Sequence, residues 1–286
     1  MSPVREFKVD KKYLNLPVKN GTARHGVSLL VGGQVEREFE IELAEGDADW
    51  WAFIDISGFK GRAVTVQADG LPEDSAALKA VEQSDSIKGV ETLYREALRP
   101  QFHFTARRGW NNDPNGLVYY RGEYHLFFQH NPYGWNWGNM HWGHAVSPDM
   151  VHWTELDDAI RPDALGTIFS GSAVVDETNT AGFARGNERA IVCIYTAAGG
   201  TNRMSTGVPF SQCIAFSTDR GRTWNKYDKN PVLPHIVASN RDPKVIWYAK
   251  TRKWVMALYL DGNDYALFES PDLKTWRRIC DVKLEG

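Results

Sequence analysis

Two short segments hold carboxylates in settings that could do chemistry. In Asn-Asn-Asp-Pro-Asn-Gly, Asp113 sits in a turn that opens into the apolar run GLVYY, and in SNRDPKVIWY, Asp242 opens a second apolar run. A carboxylate held at the mouth of a strand can attack an electrophilic carbon, move a proton or stabilise a positive charge. Each segment also has a local explanation. Asn, Asp and Gly tolerate unusual backbone angles and hydrogen-bond within their own turns, and Asp242 has Arg241 and Lys244 beside it as ion-pair partners. Taken singly, neither segment decides between a turn and a site.

The elements that must position these residues are strands. Hydrophobic residues make up 42% of the 286, and aromatics 12% with 11 Trp, while Pro and Gly punctuate short apolar runs. That pattern predicts an all-β chain with many turns and a core large enough for one or two domains. Residues 1–72 alternate as EFKVD, YLNLPV, VSLLVGG, VEREFEIEL, WWAFIDIS and AVTVQA, which predicts a small β-sandwich-like accessory domain. Residues 73–100 are polar without sustained alternation and read as a linker.

From residue 101 to 286 a unit recurs in which apolar strands lead to a Ser-x-Asp turn and a Trp: SPDMVHW (147–153), STDRGRTW (217–224) and SPDLKTW (270–276). Strand-rich repeats at this spacing predict propeller blades. The Ser and Asp side chains close a turn, and the Trp packs between blades. About three blades fit, against the usual four to eight, so the expectation is an unfinished propeller.

A formal net charge of -3 with interspersed signs offers no basic stripe for a phosphate backbone, so nucleic acid is not an expected partner. No apolar run reaches the roughly 18 residues of a membrane span, and the first residues do not form a signal peptide, so no membrane insertion is expected. Cys193, Cys213 and Cys280 lack metal-ligand spacing, and the first two lie in apolar runs, which predicts buried free thiols. No motif calls for a metal or an organic cofactor.

Taken together the motifs resemble family 32 of the glycoside hydrolases, the invertases, inulinases and levanases. The resemblance rests on WNNDPNG (110–116), FFQ (127–129), WGNMHWGHAVSPDMVHW (137–153), FSGSAV (169–174) and RDP (241–243), in the family's order. It covers residue 100 to the end, and residues 1–100 resemble the N-terminal module of some members. It implies a five-bladed β-propeller and a retaining hydrolase that cleaves β-fructofuranosyl linkages in fructans or sucrose. By the same resemblance Asp113 is the nucleophile and Asp242 the transition-state stabiliser. Asn112, Gln129, Trp137, Phe169, Ser170 and Arg241 line the fructose pocket. The resemblance further implies a periplasmic, cell-surface or secreted enzyme whose leader is absent from this chain, with a cytoplasmic setting left open.

A retaining mechanism also needs a general acid. In the family it is the Glu of a Glu-Cys-Pro-Asp motif, which neither Glu269 nor Glu285 carries, so the acid is expected beyond residue 286. The isolated chain is then expected to be poorly active or inactive, and to associate with itself or with a complementing C-terminal fragment. Three alternatives stay open. STDRGRTW also fits the Asp-box of sialidases, arabinanase-type propellers use carboxylates too, and a non-catalytic fructan-binding fragment would keep the pocket alone.

Overall fold

Six strands form where the alternating runs stand. In the computed structural model, which describes residues 2–285, these are β1 (Val4–Lys8), β2 (Tyr13–Val18), β3 (His25–Val31), β4 (Gln34–Ile41), β5 (Trp50–Asp55) and β6 (Ala63–Ala68). The helix α1 (Ala76–Ala80) and the strand β7 (Glu82–Ser84) follow. One sheet runs β1-β6-β3-β4 and the other β5-β2-β7, and their facing residues share one core that includes Leu14, Leu16, Leu29, Ile54 and Val66. Strand β2 lies between two neighbours and is covered on both faces, so Leu14 to Val18 are all buried. Pro17 fits there because β7 pairs only with residues 13 to 15, leaving no ladder bond for its missing N–H to make on that side.

The segment expected as a linker differs from the expectation. Ser75 caps α1 by accepting the Leu78 N–H at 3.2 Å, and Ala77, Leu78 and Val81 enter the sandwich core. A five-residue helix spans little more than one turn, too short for a helical period to register in the sequence. The first compact unit also extends past residue 100. It runs to Asn111 and takes in Asn131–Asn139, a segment that the sequence places among the propeller strands. Tyr133 stacks on Phe39 with ring centroids 3.8 Å apart. Asn139 accepts the Glu40 N–H at 2.9 Å and donates to the Glu40 carbonyl at 2.8 Å, imitating a strand neighbour.

The second unit comprises Asn112–His130 and the chain from Met140 onward. It holds three four-stranded sheets, each in sequence order. The first is β8 (Trp110–Tyr120), β9 (Glu123–Asn131), β10 (His141–Ser147) and β11 (Thr154–Glu155). The second is β12 (Thr167–Asp176), β13 (Ala190–Ala198), β14 (Ser211–Ser217) and β15 (Asn225–Lys226), and the third is β16 (Arg241–Tyr248), β17 (Lys253–Asp261), β18 (Asp264–Ser270) and β19 (Arg277–Lys283). These are propeller blades. All nine residues of β13 are buried, which explains why it reads as one apolar run without alternation. Cys193 and Cys213 are buried free thiols on β13 and β14, whereas Cys280 is exposed on β19.

The Ser-x-Asp-to-Trp repeat forms the same corner between the third and fourth strand of every blade. Ser147, Ser217 and Ser270 donate to Asp149, Asp219 and Asp272 at 3.1, 2.7 and 3.2 Å. Each Asp accepts backbone N–H groups from the following turn. Each Trp donates its indole N–H to a carbonyl three residues back, at 3.1 Å in all three corners. The residue directly after each Asp takes a left-handed φ: Met150 at 64°, Arg220 at 60° and Leu273 at 63°. The turn closure expected for the repeat is the observed one.

Where the second blade's corner meets the first blade, Gly221 packs against two histidines on neighbouring strands, and a Cβ on it would stand 2.9 Å from His144 Cε1. His125 Nδ1 and His144 Nε2 lie 3.0 Å apart, and the outer nitrogen of each ring has no partner. Burial pushes both pKa values down, His125 to about 4 from 6.5. Both are therefore neutral in the fold at pH 7, and the unfolded chain binds more protons as pH drops from 6.5 to 4. Stability should decline through that window, His125 alone contributing on the order of 3 kcal/mol. Thermal unfolding measured between pH 7.5 and 4.5 should give that slope, and a paired His125→Phe, His144→Phe chain should flatten it; an unchanged slope would remove the pair as its cause.

Candidate active site

The site is assembled where the first strands of the three blades come together. Gly116 adopts φ 54°, and a Cβ on it would stand 2.7 Å from Phe127 Cδ2. The Asn-Asn-Asp-Pro-Asn segment, expected as a turn, is instead part of β8, which packs directly on the aromatic core of its blade at Gly116. Asn115 is buried, and its Oδ1 reaches the Gly171 N–H of the next blade at 3.5 Å.

On the second blade, β12 breaks register between Phe169 and Gly171, leaving Ser170 in a bulge without a ladder partner. A Cβ on Gly171 would lie 2.0 Å from the Ile194 carbonyl oxygen, so the bulge requires glycine. Released from the ladder, Ser170 donates its hydroxyl to Asp113 Oδ2 at 2.8 Å, while Asn112 Nδ2 donates to Asp113 Oδ1 at 3.1 Å. Burial raises the Asp113 pKa, but the hydrogen bonds from Asn112, Ser170 and the Asp113 backbone N–H together outweigh it and hold the carboxyl below the ordinary range. Asp113 is therefore an anion at neutral pH.

The third blade contributes Arg241 and Asp242 from a second bulge, between Arg241 and Lys244. Asp242 takes φ 62°, a left-handed conformation in a non-glycine residue. Burial pushes its pKa up, the Arg241 charge opposes that, and the negative charge of Asp113 adds to it. The two carboxyls thus lie within electrostatic range, and their pKa values are driven in opposite directions. Arg241 is itself fixed, with its guanidinium 4.5 Å from the Tyr259 ring centroid and Nη1 donating to Ser239 Oγ at 2.9 Å.

The other expected site residues differ in position. Phe169 adjoins Ser170 and packs edge-on to Phe210 at 5.5 Å. Gln129 is buried, and its amide donates to the Ile168 carbonyl at 2.9 Å, so it braces the strand that carries Phe169 and Ser170. Trp137 is half exposed and belongs, with Asn131–Asn139, to the first unit. Thr196, Gln212 and Asn115, which hold the site strands, carried no signal in the sequence: Thr196 sits in an apolar run, and Asn115 reads as part of a turn.

Glu269 accepts from Lys253 Nζ at 2.7 Å and pairs with Arg277, which together hold its pKa down. It is a poor proton donor in that state. Among the described residues no group of three His, Cys, Asp or Glu side chains could hold a metal ion. What the arrangement provides is an ionised carboxylate, Asp113, and a second, half-exposed one, Asp242, within electrostatic range of it.

The family described as glycosyl hydrolases family 32 N-terminal domain matches residues 103–286. The chain is 54% identical over 186 residues to the levanase of Bacillus subtilis (strain 168), covering 65% of this chain and 26% of that protein. It is 38% identical over 211 residues to the extracellular exo-inulinase of Aspergillus awamori, covering 66% of this chain and 39% of that protein. The structure of the β-fructofuranosidase of Schwanniomyces occidentalis complexed with fructosyl-erythritol matches at a TM-score of 0.58 and 40% identity, over 65% of this chain and 36% of that one. The chain therefore spans between about a quarter and two fifths of the length of these relatives.

If the Ser170 hydroxyl helps keep Asp113 ionised, Ser170→Ala should raise the Asp113 pKa and leave the fold intact. Carboxyl carbon NMR titration reads this directly. An Asp113 titration that stayed where it was would remove Ser170 as a cause and assign the depressed value to Asn112 and the backbone N–H.

Proposed function

The chain belongs to glycosyl hydrolase family 32, and from that premise we propose that it supplies the nucleophile and the charge-stabilising carboxylate of a retaining β-fructofuranosidase acting on fructans or sucrose. The observation that carries the reading is the pair Asp113 and Asp242, presented by the first strands of two blades with opposite pKa shifts. Such a divergence separates the roles of two carboxyls.

In this reading an Asp113 oxygen forms a bond to the anomeric carbon C2 of a fructosyl unit as the bond from C2 to the leaving oxygen breaks. Water later hydrolyses the covalent fructosyl-enzyme. Asp242 acts through charge. Burial and the neighbouring Asp113 disfavour its ionised form in the resting site. Positive charge on the sugar ring reverses that, and covalent attack removes the Asp113 charge as well. Asp242 therefore gains more in the transition state than in the ground state, which is the condition for catalysis. Asn112, Ser170, Phe169 and Arg241 border the two carboxyls and are assigned to the fructose pocket, with Gln129 bracing it from beneath; Trp137 is assigned by its motif.

The leaving oxygen departs as an alkoxide unless it is protonated, and Glu269 is ion-paired elsewhere. A donor whose leaving group needs no proton separates the nucleophile from the acid. β-Fructofuranosyl fluoride is such a donor, and the chain should release fluoride from it faster than fructose from levan, inulin or sucrose. Asp113→Asn should slow fluoride release by at least about a thousandfold, roughly 4 kcal/mol of activation free energy, while retaining fructan binding. Fluoride release by Asp113→Asn at the unsubstituted rate would sink the nucleophile assignment.

A working place outside the cytoplasm is supported by the extracellular exo-inulinase relative and by the size of polymeric fructans. Ile246, Trp247 and Tyr248 on β16 and Leu117 and Tyr119 on β8 are exposed, an apolar display at two strands that favours association. Light scattering on the chain should give a mass above that of the monomer, and that mass should fall with Ile246→Lys; a monodisperse monomer at high concentration would remove this part of the reading.

A further inference from the structure

A non-glycine residue held at φ 62° needs support from its surroundings. Behind Asp242 stands a line of three residues, each fully buried: Thr196 on β13, Gln212 on β14 and Asn240, which precedes β16. The Gln212 amide Nε2 donates to the Asn240 carbonyl at 3.2 Å, and its Oε1 accepts the Thr196 hydroxyl at 2.7 Å. The Thr196 oxygen in turn accepts the Asp242 N–H at 3.1 Å.

The direction of these bonds is forced at both ends. A backbone carbonyl cannot donate, so the Gln212 NH₂ must face Asn240 and its carbonyl oxygen must face Thr196. A backbone N–H cannot accept, so the Thr196 oxygen must offer Asp242 a lone pair, which it can do because its own proton is committed to Gln212. Asn240 is anchored in turn, its Oδ1 accepting the N–H groups of Ile236 and Val237 at 3.1 and 3.3 Å. Thr196 is also the ladder partner of Phe169, next to the bulge that frees Ser170.

We propose that Thr196 is a positioning residue for Asp242: its hydroxyl, oriented by Gln212, holds the Asp242 N–H and so fixes the left-handed bulge from which this carboxyl projects. The inference rests on the reading of Asp242 as the charge-stabilising group. A hydroxyl is required and a methyl of the same volume will not serve. Serine keeps the hydroxyl, valine keeps the shape, and Gln212→Met keeps the Thr196 hydroxyl but removes what orients it.

The experiment compares Thr196→Val, Thr196→Ser and Gln212→Met with the unsubstituted chain. The readouts are hydrogen exchange at the Asp242 amide, NMR titration of its carboxyl and release of fluoride from β-fructofuranosyl fluoride. Thr196→Val should speed Asp242 amide exchange by about tenfold, the loss of one part-buried hydrogen bond. It should also bring the Asp242 titration down towards the ordinary carboxylate range, and lower kcat for fluoride release with little change in KM. Thr196→Ser should restore all three, and Gln212→Met should move them in the same direction as valine. Unchanged exchange and titration in a folded Thr196→Val chain would overturn the proposal, as would a serine variant that behaves like valine. If valine fails to fold, Gln212→Met with an unchanged Asp242 amide overturns it instead. Altered exchange and titration with unaltered turnover would leave the positioning role standing and remove the role given to Asp242.

Discussion

Neighbouring blades of a propeller share no backbone ladder, so their first strands can be tied together only by side chains. The Ser172 hydroxyl does this between the second and third blades, donating to the Pro243 carbonyl at 2.9 Å and accepting the Val245 N–H at 3.0 Å. Both backbone groups lie at the bulge of β16, where register with β17 is lost between Arg241 and Lys244. Buried groups there would otherwise go without partners, at a cost of about 1 to 3 kcal/mol each. Ser170 and Asn115 make the corresponding links between the first and second blades. The candidate site is built from the same bonds that join the blades, which is why the geometry of the carboxyls cannot drift independently of the fold.

The bulges have an electrostatic consequence. A regular β12 would direct the Ser170 backbone into its ladder and commit the strand to β13; the irregularity frees the side chain to reach Asp113. Gly171 permits it, because any side chain there would collide with the Ile194 carbonyl. One steric fact at Gly171 thus reaches the ionisation of Asp113 through a single hydroxyl. At Asp242, whose side chain stays half exposed, partial desolvation outweighs the one cation beside it, so its pKa moves the other way.

Much of this was legible in the sequence because the pattern was local. The six alternating runs are β1 to β6, and the Ser-x-Asp repeats are the three blade corners. What escaped was non-local or short. The five residues of α1 and three of β7 are too few to establish a period, and their burial is decided by strands far away in sequence. Asn131–Asn139 looked like part of the propeller because of its motif, yet Tyr133 and Asn139 find their partners in β4. Gln129 was expected to face the pocket, and a strand's alternation cannot tell that its amide would be taken by the Ile168 carbonyl. Thr196 is one hydroxyl in the run AIVCIYTAA, and β-propensity alone accounts for a threonine there.

The conformation of Asp242 brings these strands of argument together. A left-handed residue is easiest as glycine, and a non-glycine there costs on the order of 1 to 2 kcal/mol. Glycine would remove the strain and the carboxyl with it. The position therefore holds a residue that the backbone disfavours, and the fold has to offset the difference nearby. Three hydrogen bonds are at hand: the part-buried one from the Asp242 N–H to Thr196, and the two buried ones that Ser172 makes to the flanking backbone. At about 1 kcal/mol each, they are of the size needed. The same three bonds act on β16 from two strands of the second blade, β12 and β13. Strain at the site and cohesion between blades are thus coupled, because the bonds that Ser172 and Thr196 make to β16 both join the blades and flank the left-handed Asp242.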